Sequence, residues 1–348
     1  MENKEIIELR RYVETDDTSW DDYVSRSKEG MFFHLSGWKK VLGKTYGYLP
    51  YFIYAERDRK ICGVLPLFLM RSFLSGKAMV SLPFCVYGGI CADDEEVQNK
   101  LFDEAKSLTR KLRANYLELR HKTRTSLRLP ATDIYYTFIK ELPNEKKRCL
   151  DTLPRKARAA ARKGIEYGLE FHSGCELIKE FFDIYAVSVR NLGSPVFPFR
   201  YLENIVKEFP ENTDVFLVRH KGKGIAGVFT FFYKGTVMPY YAGSLPEHFA
   251  MQPNNFMYLK LMEYGVEHGY RYFDFGRSKF DTGAYRFKEF NGFTAQPLNY
   301  QYYLNGLESP PNTTSANPKL KLAIELWKKT PLLITNFIGS RMIKFTPP

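Results

Sequence analysis

Two stretches decide how this chain folds: YFIYAERDRKICGVLPLFLMRS (residues 51–72) and DVFLVRHKGKGIAGVFTFFYKG (residues 214–235). Each reads as a strand, a charged turn and a returning strand. In the first, Tyr51 to Ala55 turns through Arg57 to Lys60 into Ile61 to Met70. In the second, Val215 to Val218 turns through His220 to Gly224 into Ile225 to Tyr233. β-Branched and aromatic side chains suit a pleated, half-buried surface, while glycine and charge collect at the turns. A glycine occupies the same place in both returning strands, Gly63 and Gly227.

Working outward, the agreement continues. Short strands follow around Ala78 to Leu82 and Val237 to Ala242, then a loop and an amphipathic helix in each half. The helices are Glu95 to Arg113, with Leu101, Ala105, Leu108 and Leu112 at helical spacing, and Asn254 to His268, with Phe256, Leu259, Leu261 and Met262. Each runs into a strand that holds an acid, YLELR (116–120) and YFDFGR (272–277). The repeat predicts an α+β protein, a tandem duplicated fold with an interdomain cleft and two mostly antiparallel sheets. The expected limits are a first domain over 1–145, a basic interdomain helix over 146–165 and a second domain over 166–305. A linker at 306–318 and an amphipathic tail at 319–348 complete the chain.

The length of 348 residues suits two such domains. Aromatic residues at 16%, with 24 Tyr and 28 Phe, can fill two cores and still line a cleft. The formal charge of +12 favours anionic partners such as phosphates, nucleotides, RNA or a membrane surface. The first residues mix both signs of charge without an apolar run, so no signal peptide is expected. The five cysteines (62, 85, 91, 149 and 175) include no C-x-x-C pair and point to a reducing, cytoplasmic setting. Six scattered histidines predict no metal centre. Walker, nucleophile-elbow and dinucleotide-binding motifs are missing from the sequence.

Between the copies, LPRKARAAARKG (153–164) combines strong helix formers with Arg155, Arg158 and Arg162, spaced along one side, and Gly164 as an expected stop. The arrangement suits pyrophosphate oxygens or simply a solvated face. In the tail, Leu320, Leu322, Ala323, Leu326 and Trp327 share one face.

Three segments carry a resemblance to the FemAB aminoacyltransferases, a tandem GNAT (acyl-CoA N-acyltransferase) group. Phe33-His34-Leu35-Ser36-Gly37-Trp38 resembles the early F-Q-S-x-x-W element, with His34 in place of Gln. PRKARAAARKG resembles the segment opening the second domain. FDFGRSKFDTGAYRFKEFNGF (273–293) resembles the closing strand and the F-K-x-x-F/W-G-F that follows. The last pattern is similar to FemAB-like, BioF2-like proteins of exopolysaccharide (PEP-CTERM/exosortase) systems.

The resemblance implies transfer of an acyl or aminoacyl group to an amine on a peptidoglycan or exopolysaccharide intermediate. By it, the Phe287 carbonyl contacts the attacking amine and the Lys288 ammonium stabilises charge on the oxyanion or leaving oxygen. The alternative for Lys288 is an exposed strand lysine. Trp38, Arg155, Arg158 and Arg162 would receive the acceptor, Trp38 having a core position as its alternative. Asp274, with Arg277 at the end of its strand, reads as a structural ion pair like Glu118 with Arg120, or as a general base. Tyr241 and Tyr285 are further substrate-binding candidates, or core.

Arg219 to Gly224 fits R-x-x-G-x-G, but in a hairpin rather than before a helix, so its glycines read as turn residues. The loop before Asn254, GSLPEHFAMQPNN, lacks that motif. No tightly bound cofactor is expected; aminoacyl-tRNA or acyl-CoA would be the co-substrate. The partners expected are a nucleotide- or lipid-linked saccharide or peptide, and tRNA; the tail reads either as an anchor at the inner membrane face or as a helix packed on the second domain. Two alternatives remain beside this: an acetyl-CoA-dependent N-acetyltransferase, and a non-catalytic RNA- or polysaccharide-assembly binding module.

Overall fold

The computed structural model describes residues 6–72, 76–311 and 318–345. It divides into two compact units. Unit 1 comprises Met1–Tyr135, Pro297–Thr313 and Lys344–Pro348, and unit 2 comprises Tyr136–Gln296 and Thr314–Ile343.

Unit 1 begins with β1 (Ile7–Arg11), α1 (Asp17–Arg26) and α2 (Trp38–Tyr46), followed by β2 (Ile53–Arg57) and β3 (Lys60–Leu65). Then come β4 (Phe68–Ser72), β5 (Gly76–Val80), β6 (Cys91–Ala92), α3 (Glu95–Lys111), β7 (Tyr116–His121) and β8 (Ala131–Thr132). The returning strand expected over Ile61 to Met70 is broken at Pro66, which cannot donate to a ladder. The break splits the unit into two sheets, β1-β2-β3-β6 and β4-β5-β7-β17-β8, where β17 is Asn299–Leu304.

Unit 2 keeps one continuous sheet. Its strands are β9 (Tyr135–Glu141), β10 (Glu170–Ser173), β11 (Thr213–His220), β12 (Lys223–Tyr233), β13 (Thr236–Ser244), β14 (Tyr272–Asp274), β15 (Ser278–Lys279) and β16 (Ala295–Pro297). Their order is β10-β11-β12-β13-β14-β9-β15, with β16 on β9. The helices are α4 (Arg155–Glu166), α5 (Ile178–Asn191), α6 (Phe199–Glu208), α7 (Pro253–Glu267), α8 (Gly283–Phe290), α9 (Pro318–Lys329) and α10 (Leu332–Met342).

The duplication shows in detail. Both hairpins carry a register shift just past the paired glycine: after Ala55↔Gly63 in one, and after Leu217↔Gly227 and Val218↔Ala226 in the other. A β-bulge of this kind bends the strand and deepens its twist. Each glycine faces a helix: a Cβ on Gly63 would lie 2.5 Å from Val97, and one on Gly227 3.0 Å from Phe181. A parallel pair follows in both units, β5 with β7 and β13 with β14.

The expected limits need correction. The strand after residue 135 belongs to unit 2, and β17, expected in the second domain, pairs along its length with β7 in unit 1. Sequence adjacency carries no information about such long-range pairing. The basic stretch is not one interdomain helix: 3₁₀ turns at Lys146–Arg148 and Leu150–Thr152 precede α4, which lies within unit 2. Gly164 does not stop α4. It lies in the buried stripe Ala157, Ala161 and Gly164, where an added Cβ would sit 2.6 Å from Phe256 of α7. Of the expected linker, residues 312–317 lie outside the described residues, as do the side chains of Leu320 and Leu322. In the described part of α9, Ala323 and Leu326 are exposed, while Trp327 donates Nε1–H to the Ser194 carbonyl at 3.1 Å.

Candidate active site

The acid-bearing strand of unit 2 ends in a built feature. β14 pairs with β13 only at Thr236↔Tyr272 and Val237↔Phe273, and β13 continues to Ser244 after β14 has ended at Asp274. The chain then turns through Phe275, Gly276 and Arg277. Gly276 has φ +62°, a conformation glycine adopts at no steric cost. The Asp274 carboxylate clamps the turn, accepting from the Gly276 N–H at 2.8 Å and the Thr137 hydroxyl at 3.1 Å. On the other side, the Phe275 N–H donates to the Phe138 carbonyl at 2.9 Å.

So held, the turn aims three carbonyls at one point, and Lys288 occupies it. Its Nζ donates to Phe275 O at 2.7 Å, Gly276 O at 2.9 Å and Arg277 O at 3.2 Å. An ammonium has three N–H donors, so the charged form is fully satisfied. The side chain is 8% exposed and lies over the rings of Phe138 and Phe275, 5.1 and 5.8 Å from their centroids. Burial brings its pKa down from 10.5 to about 7; Asp274 opposes the shift and Arg277 adds to it. The exposed-strand alternative is corrected: Lys288 is a buried residue of α8, a helix capped by the Thr282 hydroxyl, which accepts from Tyr285 N–H at 3.3 Å.

The neighbouring candidates divide. The Phe287 carbonyl, expected to meet the amine, accepts from the Asn291 N–H at 3.1 Å and the Asn291 side-chain amide at 2.8 Å. Both lone pairs are engaged. Asn291 in turn accepts from the Asn255 amide at 3.1 Å. That pair went unread in the sequence, because two asparagines 36 positions apart carry no spacing signal. Tyr285 belongs to the same cluster but as packing, edge-on to Phe138 at 5.1 Å and Tyr136 at 5.6 Å. Arg277 is half-buried beside the turn.

Other candidates lie elsewhere. Tyr241 sits in an aromatic group with Tyr185, Phe197 and Tyr201, its hydroxyl donating to that of Tyr201 at 3.1 Å. Trp38 is 0% exposed in unit 1, its Nε1–H donating to the Phe32 carbonyl at 3.1 Å, so its core alternative holds and substrate contact does not. His34 of the same motif is also buried, accepting at Nδ1 from Met31 N–H at 3.1 Å and so donating at Nε2 to Gly89 O at 2.8 Å. The motif builds a core rather than a surface. On α4, Arg155 and Arg162 are exposed, whereas Arg158 is half-buried and donates back to the carbonyls of Asp151 and Leu153 at 3.4 and 3.2 Å. The R-x-x-G-x-G stretch is the tight β11–β12 hairpin, with Lys221 and Gly222 at φ +50° and +76°. Among the described residues no cluster of His, Cys, Asp and Glu could hold a metal ion.

Residues 147–289, most of unit 2, match the family described as "Acetyltransferase (GNAT) domain". No curated protein matches the chain. Among solved structures, FemX is similar at 17% identity and a TM-score of 0.64, covering 86% of this chain and 98% of its own. The C-terminal domain of a putative lysylphosphatidylglycerol synthetase from Agrobacterium fabrum aligns at 14% identity and TM-score 0.57, covering 84% and 92%. A tandem GNAT protein from the clavulanic acid biosynthesis pathway aligns at 10% and 0.54, covering 87% and 100%. The fold is that of tandem GNAT proteins.

Proposed function

We propose that this chain is an N-acyltransferase that moves an acyl or aminoacyl group onto an amino group of a cell-envelope precursor, such as a peptidoglycan or exopolysaccharide intermediate. The observation that carries the reading is Lys288, a buried amine with a near-neutral pKa at the end of β14. Attack of a neutral amine on an activated carbonyl creates an oxyanion and releases a thiolate or alkoxide, and a fixed cation favours both. Bonded to the three carbonyls of the turn, the ammonium has no spare N–H. The Arg277 carbonyl, the most distant of the three acceptors, is the contact that yields when Lys288 turns a proton toward substrate. A pKa near 7 lets that proton be given to the leaving atom; the attacking nitrogen releases one proton to solvent as the amide forms, and solvent returns one to Lys288, so the count closes at neutral pH.

The donor on this reading is an acyl-CoA thioester or an aminoacyl-tRNA, and the exposed Arg155 and Arg162 receive the phosphates of the acceptor. Asp274 acts by holding the carbonyl turn, and Arg277 borders the site. The sequence resemblance to FemAB enzymes and the acetyltransferase family match both support acyl transfer. The test offers acyl-CoAs and charged tRNAs with amine-bearing envelope precursors and reads products by mass spectrometry. Turnover that disappears in Lys288→Met, in protein with a cooperative melt, supports the reading; turnover unchanged in that variant refutes it.

A further inference from the structure

The tail of unit 2 is built inside out. Along α10, Thr335 and Gly339 are buried, and Ile343 continues their stripe one turn further. Gly339 lies so close to Pro195, Val196 and Trp327 that a Cβ there would meet all three within 3.3 Å. The large apolar residues face the other way: Leu333 is 85% exposed and Phe337 62%, with Ile334, Ile338 and Met342 beside them and Leu326 of α9 at 61%. A globular surface helix normally buries that stripe and exposes the polar one. Contiguous exposed apolar surface of this kind marks an interaction site.

The charges around it choose the occupant. Among the described side chains of α9 and α10, Lys328, Lys329 and Arg341 stand against one carboxylate, Glu325, which is already paired with Lys328 at 2.7 Å. Arg341 lies on the Phe337 ring, 3.7 Å from its centroid, at the border of the apolar face. Apolar side chains rimmed by cations match acyl chains beneath anionic headgroups. They disfavour a second copy of this chain, which would set like charges against each other. No helix among the described residues is long and apolar enough to cross a membrane, so the contact would be interfacial.

We infer that α10, with the end of α9, seats this chain on an anionic lipid surface, inserting Leu333, Phe337 and their neighbours beside the lysines and Arg341. The inference does not depend on the proposed reaction.

Flotation of the full chain with phosphatidylcholine vesicles, with and without phosphatidylglycerol, tests it. Binding should require the anionic lipid, weaken with salt and fall at least tenfold in Leu333→Glu/Phe337→Glu; both sites are exposed, so the melt should not move. Trp327 should be quenched by brominated lipid, while the fully buried Trp20 and Trp38 stay unaffected. Equal binding to neutral vesicles, binding that survives the double substitution, or self-association through this face without vesicle binding would each overturn the inference.

Discussion

The two units apply the same strand order to opposite ends. In unit 1 the region beyond the parallel pair is closed. Ser81 N–H bridges to Glu118 O at 2.9 Å, and Gly89 N–H to Arg120 O at 3.1 Å. The Arg120 guanidinium, with no exposed surface, bonds Glu118 at 2.8 Å and the carbonyls of Leu82 and Cys85 at 3.3 and 2.6 Å. In unit 2 the corresponding strand bears Asp274, and the cation comes from α8 as Lys288. One unit is locked by a group that keeps its proton at any working pH, the other by one whose proton is exchangeable near neutrality. On the proposed function, that contrast separates a structural plug from a chemical site.

The largest effect should come from breaking the plug. Arg120→Met leaves Glu118 buried without its cation, and chemical denaturation should show a loss of about 3–5 kcal/mol. A variant within 1 kcal/mol of the parent would mean that the plug bears little of the unit's stability. Next, Lys288→Met should cut turnover by about 10²–10³-fold. It should also lower stability by about 1–3 kcal/mol, because three carbonyls lose their donor. Equal stability losses at residues 120 and 288 with activity retained would erase the distinction between the units.

The proton sharpens the comparison further. On the proposed mechanism the ammonium is the working form, so turnover should fall as pH rises through about 7, and this limb should vanish in Lys288→Met. Stability should move the other way: between about 7 and 10.5 the unfolded lysine binds more protons than the folded one, so stability rises with pH over that window. Denaturation midpoints of Lys288→Met should lack that rise. A smaller effect is expected where α4 meets α7. Gly164→Ala forces a methyl toward Phe256 and should cost about 1–3 kcal/mol, read by thermal melt. Smallest of all, Arg155→Ala and Arg162→Ala should shift stability by under about 0.5 kcal/mol while raising the KM for phosphate-bearing substrates.

Much of this was legible beforehand. The hairpins with Gly63 and Gly227, helices α3 and α7 and the acid-bearing strands all stand where periodicity put them, since each is encoded over a few consecutive residues. The failures share a cause. Pro66 read as part of a continuous strand, yet it divides a sheet. Gly164 read as a helix end because its neighbour, Phe256, lies 92 positions away. Trp38 and the Phe287 carbonyl were expected at substrate, and both are occupied by the protein's own groups. Lys288 was singled out through a motif, but its burial and its three carbonyl partners were not readable from any spacing.

What the amino-acid order determined alone was the local grammar: which segments extend, which coil, and that the pattern occurs twice. Those outcomes depend on side-chain periodicity within a turn or a strand. Which strand pairs with which, and whether a given cation is sealed or left titratable, was decided only when distant segments met. Burial and hydrogen-bond partners depend on every neighbour at once, and a lysine in water and a lysine among three carbonyls share one letter.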